Sequence, residues 1–306
     1  MKWAFVFPGQ GAQKVGMGKD FFDSFAIAKE TFQEADDLLG EKFSKIIFEG
    51  PEETLTETKN SQLAIFIASV AILRVVRQQL PEIVPSVCSG LSLGEYTALF
   101  ASGRLSFQKT LFLVRERGRL MNEACQKAPG AMAAVLGLLA PEVLLAVQEL
   151  KGVWVANFNA PAQTVISGTK EGIALAMDRL KAKGARRVLP LSVGGAFHSP
   201  LMQSAQEGLT PFIEGANISE SSIGFVMNVP GSYVKEVADV RKFLISQVTQ
   251  PVKWEQGVLA MQEAGVDQFL EIGCGKTLTG LGKKMGISSA HSIEVLKDLE
   301  FVYAAT

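Results

Sequence analysis

Residues 86–101 limit the possible folds of this chain more than any other segment. They join a short apolar strand pattern to the turn Gly90-Leu91-Ser92-Leu93-Gly94, and the turn leads into a helical pattern. Between a strand and a helix, G-x-S-x-G places the serine on a sharp turn with its hydroxyl exposed at the helix N-terminus. Backbone N–H groups and the helix dipole there favour an oxyanion. The segment therefore predicts an α/β fold with Ser92 as a nucleophile.

Apolar patterns elsewhere in the chain also change between strand and helix. Residues 2–7 form a short apolar run that Pro8-Gly9 ends, and helical spacing follows to about residue 39. Residues 61–78 predict a buried helix, and residues 269–272 predict a strand. With 306 residues, the chain is expected to form either one large α/β domain or a main domain carrying a smaller one.

The central part of the chain has a different rhythm of elements. Its patterns predict strand 131–138, helix 141–150, strands 153–157 and 164–167, helix 170–183 and strand 186–191. The order βαββαβ is that of the ferredoxin-like split motif. We therefore predict a small inserted subdomain at residues 128–191, within a main α/β core formed by residues 1–127 and 192–306.

Charge and hydropathy exclude several classes of protein. Thirty basic and 31 acidic residues give a net charge of −1, so the chain lacks the bulk attraction on which a nucleic-acid binder relies. The apolar run 63–73 ends at Arg74, short of the ~20 residues that span a bilayer. The N-terminal run is too short for a secretory signal. We predict a cytoplasmic protein with no nucleic-acid or membrane partner and with reduced thiols at its three cysteines.

A serine nucleophile needs a base to accept its proton, and the chain has only two histidines, His198 and His291. His198 lies in the loop sequence Gly194-Gly195-Ala196-Phe197-His198-Ser199-Pro200, whereas His291 lies in a polar stretch near the C-terminus. Because functional residues concentrate on loops, we predict that His198 is the base and that His291 is structural. So few histidines also predict that the chain binds no metal.

Two glycine-rich segments resemble nucleotide-binding loops but fail on spacing. A dinucleotide fingerprint starting at Gly9 would need glycine at Lys14, and a phosphate-binding loop ending at Lys276 would need glycine at Leu270. The first segment is either a plain tight turn or a second backbone donor for an oxyanion. Of Arg115, Arg117 and Arg119, a helix can direct only one or two toward a site.

Taken together, these motifs resemble a known family over nearly the whole chain. The matching stretches are Phe7-Pro8-Gly9-Gln10-Gly11, Ser61-Gln62, Gly90 to Glu95, Arg117-Gly118, Gly130-Ala131-Met132-Ala133, Asn157-Phe158-Asn159, Ala196-Phe197-His198-Ser199, Pro251-Val252-Lys253-Trp254 and Glu271-Ile272-Gly273. They resemble the malonyl-CoA:acyl carrier protein transacylases of fatty acid synthesis and, more broadly, the acyltransferase domains of fatty acid and polyketide synthases. The resemblance implies an α/β-hydrolase-like core with an inserted ferredoxin-like subdomain.

The resemblance also implies roles for individual residues. Ser92 would be acylated and His198 would be its base, oriented by a backbone carbonyl that we place at Gln250. Backbone N–H groups of Gln10 and Leu93 would form the oxyanion hole. Arg117 would bind the malonyl carboxylate through a bidentate fork. Further contacts with the substrate would come from Gln62, Phe197 and Asn159.

The substrates implied are malonyl-CoA and acyl carrier protein, with no cofactor, and we expect a monomer. Because acyl carrier proteins are acidic, a local basic patch is expected beside the Ser92 cleft. Its candidate residues are Lys181, Lys183, Arg186, Arg187, Lys283 and Lys284.

One position departs from the family pattern. Leu91 stands where the family usually has histidine, before the nucleophile, which leaves the hydrogen bonding around Ser92 open. Two alternatives to a transferase follow. A serine thioesterase or esterase would use the same Ser92 and His198 but pass the acyl group to water, and a non-catalytic acyl-binding subunit would not use them chemically. Arg117 argues against the first alternative, and the presence of both Ser92 and His198 argues against the second.

Overall fold

Two β-sheets with helices around them form the structure, a computed structural model that describes residues 1–304. The strands are β1 (Trp3–Phe7), β2 (Pro85–Gly90), β3 (Ala131–Leu136), β4 (Val153–Ala160), β5 (Gln163–Gly168), β6 (Arg187–Pro190), β7 (Gly224–Met227), β8 (Ser232–Tyr233), β9 (Val252–Lys253), β10 (Gln268–Ile272) and β11 (Ala290–Ile293). The helices are α1 (Lys19–Ser24), α2 (Ala26–Leu39), α3 (Phe43–Glu49), α4 (Glu52–Thr56), α5 (Thr58–Gln79), α6 (Gly94–Ala101), α7 (Phe107–Lys127), α8 (Ala140–Val147), α9 (Lys170–Ala182), α10 (Gln203–Glu214), α11 (Val237–Ser246), α12 (Trp254–Glu263), α13 (Thr277–Lys284) and α14 (Leu296–Ala304).

The larger sheet has the strand order β11-β10-β1-β2-β7-β8 and is parallel except for the last pair. Every residue of β1 is buried, as expected for an interior parallel strand covered on both faces. Because β1 and β2 are parallel neighbours, their carboxyl ends lie at the same edge of the sheet. The Leu91 N–H donates to the Phe7 carbonyl at 3.0 Å, which joins the two loops that leave this edge.

The smaller sheet has the order β6-β3-β5-β4-β9. Its first four strands are antiparallel to their neighbours, and α8 and α9 contribute to a separate apolar core beside them. All six elements predicted between residues 131 and 191 are present, with ends shifted by up to three residues. The fifth strand, β9, comes from the main part of the chain and pairs parallel with β4.

Helix α5 is the one helix among residues 1–304 whose length and composition would suffice to cross a membrane. Of its most apolar 18-residue window, 83% is buried inside the protein. It packs against α2, α6 and α7, so the apolar run 63–73 belongs to a core helix, as predicted.

Candidate active site

The nucleophile turn has the conformation that the sequence predicts. Ser92 lies between β2 and α6 with a φ of +53°, in the left-handed region that non-glycine residues seldom adopt. A Cβ at Gly90 would lie 2.0 Å from the Gly94 carbonyl carbon, and one at Gly94 would lie 2.0 Å from the Phe7 oxygen. Both glycines are therefore required by close approach of the backbone. The turn holds the Ser92 Oγ 2.8 Å from Nε2 of His198.

His198 faces Ser92 from the loop after β6. Its Nδ1 is 2.8 Å from the Gln247 carbonyl oxygen, and its backbone N–H donates to the Val248 carbonyl at 3.0 Å. Because a carbonyl can only accept, Nδ1 carries the proton and Nε2 is left to accept one from Ser92.

The carbonyl that orients His198 was predicted at the wrong residue, Gln250. The hydrogen bond comes from Gln247, three residues earlier. Helix α11 ends at Ser246, so the Gln247 carbonyl has no partner in the helix and turns toward the imidazole. Gln250 adds a weaker favourable effect on the charged form of His198.

The electrostatic environment keeps His198 neutral. Burial, and secondly the positive charge of Arg117, lower the pKa of His198 to about 4, although the carbonyls of Gln247 and Gln250 oppose the shift. At neutral pH the imidazole is therefore in the basic form that can accept a proton.

Arg117 is the arginine of its group that reaches the site. It is 1% exposed, whereas the side chains of Arg115 and Arg119 are 41% and 45% exposed and pair with Glu116. This agrees with the expectation that a helix directs only one or two of the three inward.

The guanidinium of Arg117 touches the nucleophile directly. Nη2 donates to the Ser92 Oγ at 2.9 Å and to the Gln247 Oε1 at 3.0 Å, and Nη1 donates to the Gln62 Oε1 at 2.6 Å. These acceptors are all uncharged, and Nε has no partner within residues 1–304. A buried cation with only neutral partners favours binding of an anion.

A cavity of about 300 Å³ opens over Ser92, between the two sheets. Gln10, His198, Phe197 and Asn159 line it, and the buried Asn159 Oδ1 has no partner within the described residues. Neither Gln62 nor Arg117 lines the cavity; the Gln62 Oε1 accepts from Arg117, and its Nε2 donates to the Sδ of Met121, which does line it. His291 lies on β11 beside the Trp3 ring and does not line the cavity.

Two backbone amides are available for an oxyanion. Gln10 lines the cavity at the end of β1, and Leu93 directly follows Ser92. Neither amide donates to another atom of the described chain. Leu91 also lines the cavity and packs against a buried apolar cluster, so an apolar wall occupies the place of the family's usual histidine.

Three buried polar residues near the site were not identified from the sequence: Glu95, Asn228 and Gln247. They form a hydrogen-bonded network beneath the Ser92 turn. Burial raises the pKa of Glu95 to about 8, although the Asn228 N–H and the charge of Arg117 oppose the shift. The position of Glu95, directly after the G-x-S-x-G turn, was the available sequence signal, and Asn228 had none.

Known proteins resemble this chain over almost its full length. The acyl transferase domain family matches residues 4–297. The malonyl CoA-acyl carrier protein transacylase of Bacillus subtilis is 44% identical over 289 residues, which cover 93% of this chain and 90% of the relative. The enzyme of the same name from Escherichia coli K12 is 39% identical over 287 residues, 93% of each chain.

Solved structures agree with these relatives. A chain from the complex of a type II PKS acyl-carrier protein with its malonyl-transacylase has a TM-score of 0.96 and 38% identity, with full coverage of both chains. The malonyl CoA-acyl carrier protein transacylase of Clostridium perfringens has a TM-score of 0.95 and 36% identity, covering 100% of this chain and 97% of that one. The chain therefore belongs to the acyl transferase domain family and, within it, to the malonyl CoA-acyl carrier protein transacylases.

Proposed function

We propose that this protein is an acyl carrier protein S-malonyltransferase, which moves the malonyl group from malonyl-CoA to the phosphopantetheine thiol of acyl carrier protein in fatty acid synthesis. The observation that carries the proposal is the buried Arg117 guanidinium, 2.9 Å from the Ser92 Oγ and bonded to uncharged acceptors. An acyl group with a second, free carboxylate supplies the anion that this position favours.

In the first half-reaction, the Ser92 oxygen attacks the thioester carbonyl and His198 Nε2 takes the hydroxyl proton. The carbonyl oxygen becomes an oxyanion that the amides of Gln10 and Leu93 stabilise. The carbon–sulfur bond then breaks, and CoA leaves with the proton from His198. The product is malonyl-Ser92 with neutral His198.

The second half-reaction is the reverse, with a different thiol. His198 takes the proton of the phosphopantetheine thiol, the sulfur attacks the malonyl ester, and the ester bond to Ser92 breaks. The proton returns to the Ser92 Oγ, so the enzyme is restored. Neither half-reaction requires a metal or a redox cofactor.

The free carboxylate binds Arg117 during both steps. Once the Ser92 Oγ is part of an ester, it is a weaker acceptor than a carboxylate oxygen. The malonyl carboxylate then accepts the hydrogen bond from Nη2. Gln62 holds Nη1 from behind, and the Phe197 ring and the unpartnered Asn159 Oδ1 line the space left for the acyl chain and thioester.

We expect Arg117→Ala to lower kcat/KM for malonyl-CoA by about 10- to 150-fold, because a charge-assisted hydrogen bond contributes roughly 1.5–3 kcal/mol. The uncharged acetyl group loses only the Arg117 contact with Ser92, so kcat/KM for acetyl-CoA falls less. Arg117→Lys restores part of the malonyl activity, because a point charge lacks the planar fork. The measurement is the malonyl-to-acetyl ratio of kcat/KM in each variant.

The control for that comparison is Arg119→Ala, on the same helix but paired with Glu116 and Glu123 at the surface. Its ratio stays at the wild-type value. Equal losses for malonyl-CoA and acetyl-CoA in Arg117→Ala would contradict a role in carboxylate recognition.

Intact-mass measurement after mixing with malonyl-CoA distinguishes the transferase from its two alternatives. We expect a malonyl adduct that persists in water and disappears on addition of acyl carrier protein carrying its phosphopantetheine. Rapid loss in water without carrier protein would identify a thioesterase or esterase. Binding of malonyl-CoA without any adduct would identify an acyl-binding subunit.

We infer that the fold comprises an α/β-hydrolase-like core, residues 1–127 and 192–306, and a ferredoxin-like subdomain, residues 128–191. The mainly parallel larger sheet, with Ser92 on the turn after β2, supports the first assignment. The antiparallel order β6-β3-β5-β4, with two helices on one face, supports the second.

We propose that acyl carrier protein docks at the rim of the cavity near Lys283 and Lys284. Lys284 Nζ is 2.5 Å from the Oε1 of Gln163, and Gln163 lines the cavity. Of the other candidates, Lys181 lies 3.9 Å from Asp178 and Arg187 is exposed on β6. An acidic carrier protein is attracted to such a local cluster even though the net charge of the enzyme is −1.

We expect Lys284→Glu to slow transfer to acyl carrier protein while acylation by malonyl-CoA is unchanged, because only the protein partner needs the patch. The two half-reactions are timed separately by rapid quench and mass measurement. Lys109→Glu is the control, because Lys109 is also exposed but lines a different cavity, between α7 and α10. Equal effects of Lys284→Glu on both half-reactions would exclude this site of docking.

We propose that the enzyme acts as a monomer. Burial of helix α5 within the core argues against its crossing a membrane.

A further inference from the structure

The conformation of Ser92 requires support from its surroundings. A non-glycine residue with φ near +53° is strained and persists where neighbouring groups over-determine it. The hydrogen bonds to the backbone of the turn show which groups these are. The Ser92 N–H donates to Asn228 Oδ1 at 2.7 Å, and the Ser92 carbonyl accepts from Gln247 Nε2 at 2.9 Å.

Asn228 binds the turn at two points with one carboxamide. In addition to accepting from Ser92, it donates from Nδ2 to the Gly90 carbonyl at 2.7 Å. The side chain therefore fixes the distance between the end of β2 and the nucleophile. Because Asn228 is buried, removing its side chain leaves the Ser92 N–H and the Gly90 carbonyl without these partners.

Glu95 holds Asn228 and Gln247 in place. Its Oε1 accepts from the Asn228 N–H at 2.6 Å, and its Oε2 accepts from Gln247 Nε2 at 2.5 Å. Glu95 is fully buried in the first turn of α6, three residues after the nucleophile. One carboxyl group thus aligns the two side chains that bind the backbone of Ser92.

Gln247 connects this network to the other reactive groups. Its carbonyl accepts from His198 Nδ1, and its Oε1 accepts from Arg117 Nη2. A shift of the Ser92 turn would therefore change the position of the nucleophile relative to both His198 and Arg117.

We propose that Asn228, aligned by Glu95, is a positioning residue that holds Ser92 in its left-handed conformation, with Oγ on His198 Nε2. Without this side chain the turn relaxes and the 2.8 Å contact between Oγ and Nε2 is lost. The inference rests on the acyl transfer proposed above, but it concerns formation of the acyl-enzyme and is independent of which thiol receives the acyl group.

The test is single-turnover acylation of Asn228→Ala by malonyl-CoA and by acetyl-CoA. We expect both maximum rates to fall by the same factor, about 10²-fold, as for misplacement of a reacting group by about 1 Å. The malonyl-CoA concentration for half-maximal rate stays unchanged, and so does the fraction of enzyme finally acylated. An unchanged rate, or a smaller acylated fraction with an unchanged rate, would overturn the proposal.

A matched control is Ser89→Ala. The buried Ser89 hydroxyl donates to the Val226 carbonyl at 2.9 Å, between the same strands β2 and β7, but does not contact Ser92. Its acylation rate is expected to stay at the wild-type value. A loss equal to that of Asn228→Ala would indicate general weakening of the β2–β7 pair.

A second pair of variants covers a failure of Asn228→Ala to fold. Asn228→Asp keeps the acceptor for the Ser92 N–H but places an oxygen against the Gly90 carbonyl, and Glu95→Gln replaces one acceptor by a donor. Both slow acylation of the two acyl groups equally, and wild-type rates in both would overturn the proposal.

A fluorophosphonate separates this proposal from the proposed function, because it phosphonylates an activated serine without needing malonyl recognition. Its reaction with Ser92 slows in Asn228→Ala by a factor similar to that for acylation. This result is expected even if acyl carrier protein is not the acceptor. A fluorophosphonate rate in Asn228→Ala equal to that of the wild type would contradict the positioning role but not the proposed function.

Discussion

Ser92→Ala is expected to form no malonyl-enzyme and to lose transfer by on the order of 10⁶-fold, the scale on which loss of a serine nucleophile lowers kcat in other enzymes that form acyl intermediates. The reason is geometric, because the Ser92 Oγ accepts from Arg117 and lies 2.8 Å from the base. Intact-mass measurement and peptide mapping after exposure to malonyl-CoA give the result directly.

The control for the Ser92 variant is Cys125→Ala. Cys125 is an alternative nucleophile close to the site, since its Sγ lies against Gly195 in the His198 loop. Burial raises the pKa of the Cys125 thiol to about 11, so it is protonated at neutral pH and a poor nucleophile. Cys125→Ala retains the adduct. A malonyl label on Cys125, or on any residue other than Ser92, would show that the nucleophile is wrongly assigned.

His198→Ala is expected to lower the acylation rate by about 10²–10⁴-fold, the usual contribution of a general base. His291→Ala leaves the rate nearly unchanged, because His291 lies on β11 and does not line the cavity. The rates are compared under single-turnover conditions. Similar losses in the two variants would mean that the effect of His198→Ala is not loss of the base.

The pH dependence of acylation tests the same assignment. The neutral imidazole is the active form, and burial with the charge of Arg117 lowers the pKa of His198 to about 4. Acylation therefore stays at its plateau as pH falls through 6.5 and declines only near pH 4. Arg117→Ala moves the decline to higher pH, because loss of the cation makes protonation easier. A wild-type decline centred at pH 6.5 or above would contradict this environment for the base.

The same shift affects stability, so the acid points require brief exposure. Because the folded pKa of His198 lies below the unfolded value near 6.5, the unfolded state binds more protons between pH 6.5 and about 4. This group therefore lowers the free energy of unfolding as pH falls through that window. Mixing the enzyme into acid together with the substrate measures acylation before unfolding interferes.

Elements with a repeated apolar pattern could be predicted from the sequence. Strand β1 is apolar throughout, and helix α5 has a long apolar run. In residues 131–191, the spacing of apolar residues indicates whether each element is a helix or a strand. Strands β8 and β9 are two residues each and were not predicted. A strand this short is defined by the partner beside it, and its own residues carry no periodic signal.

The same distinction holds for the site. Ser92 was predicted from its local motif, His198 from its place in a loop as one of only two histidines, and Arg117 from the family resemblance; the structure brings the three together. Asn228 and Gln247 act on Ser92 across 136 and 155 residues of sequence, so only the packed structure identifies them. The error of three residues at Gln250 has the same origin, because the end of α11 decides which carbonyl faces His198.

Strand β9 makes the smaller sheet unsuitable as an interchangeable cassette in chimaeric enzymes. It pairs with β4, which lines the cavity. The backbone N–H of Lys253 donates to the backbone carbonyl of Asn228 at 2.8 Å, and the segment before β9 accepts hydrogen bonds from His198. Transplanting residues 128–191 alone would leave β9 of the recipient against a foreign β4, and the resulting misfit would be transmitted to the base and the nucleophile. A graft that also carries residues 247–253 and 228 would take both strands of the β4–β9 pair, and the backbone groups that bind His198 and Lys253, from the same protein.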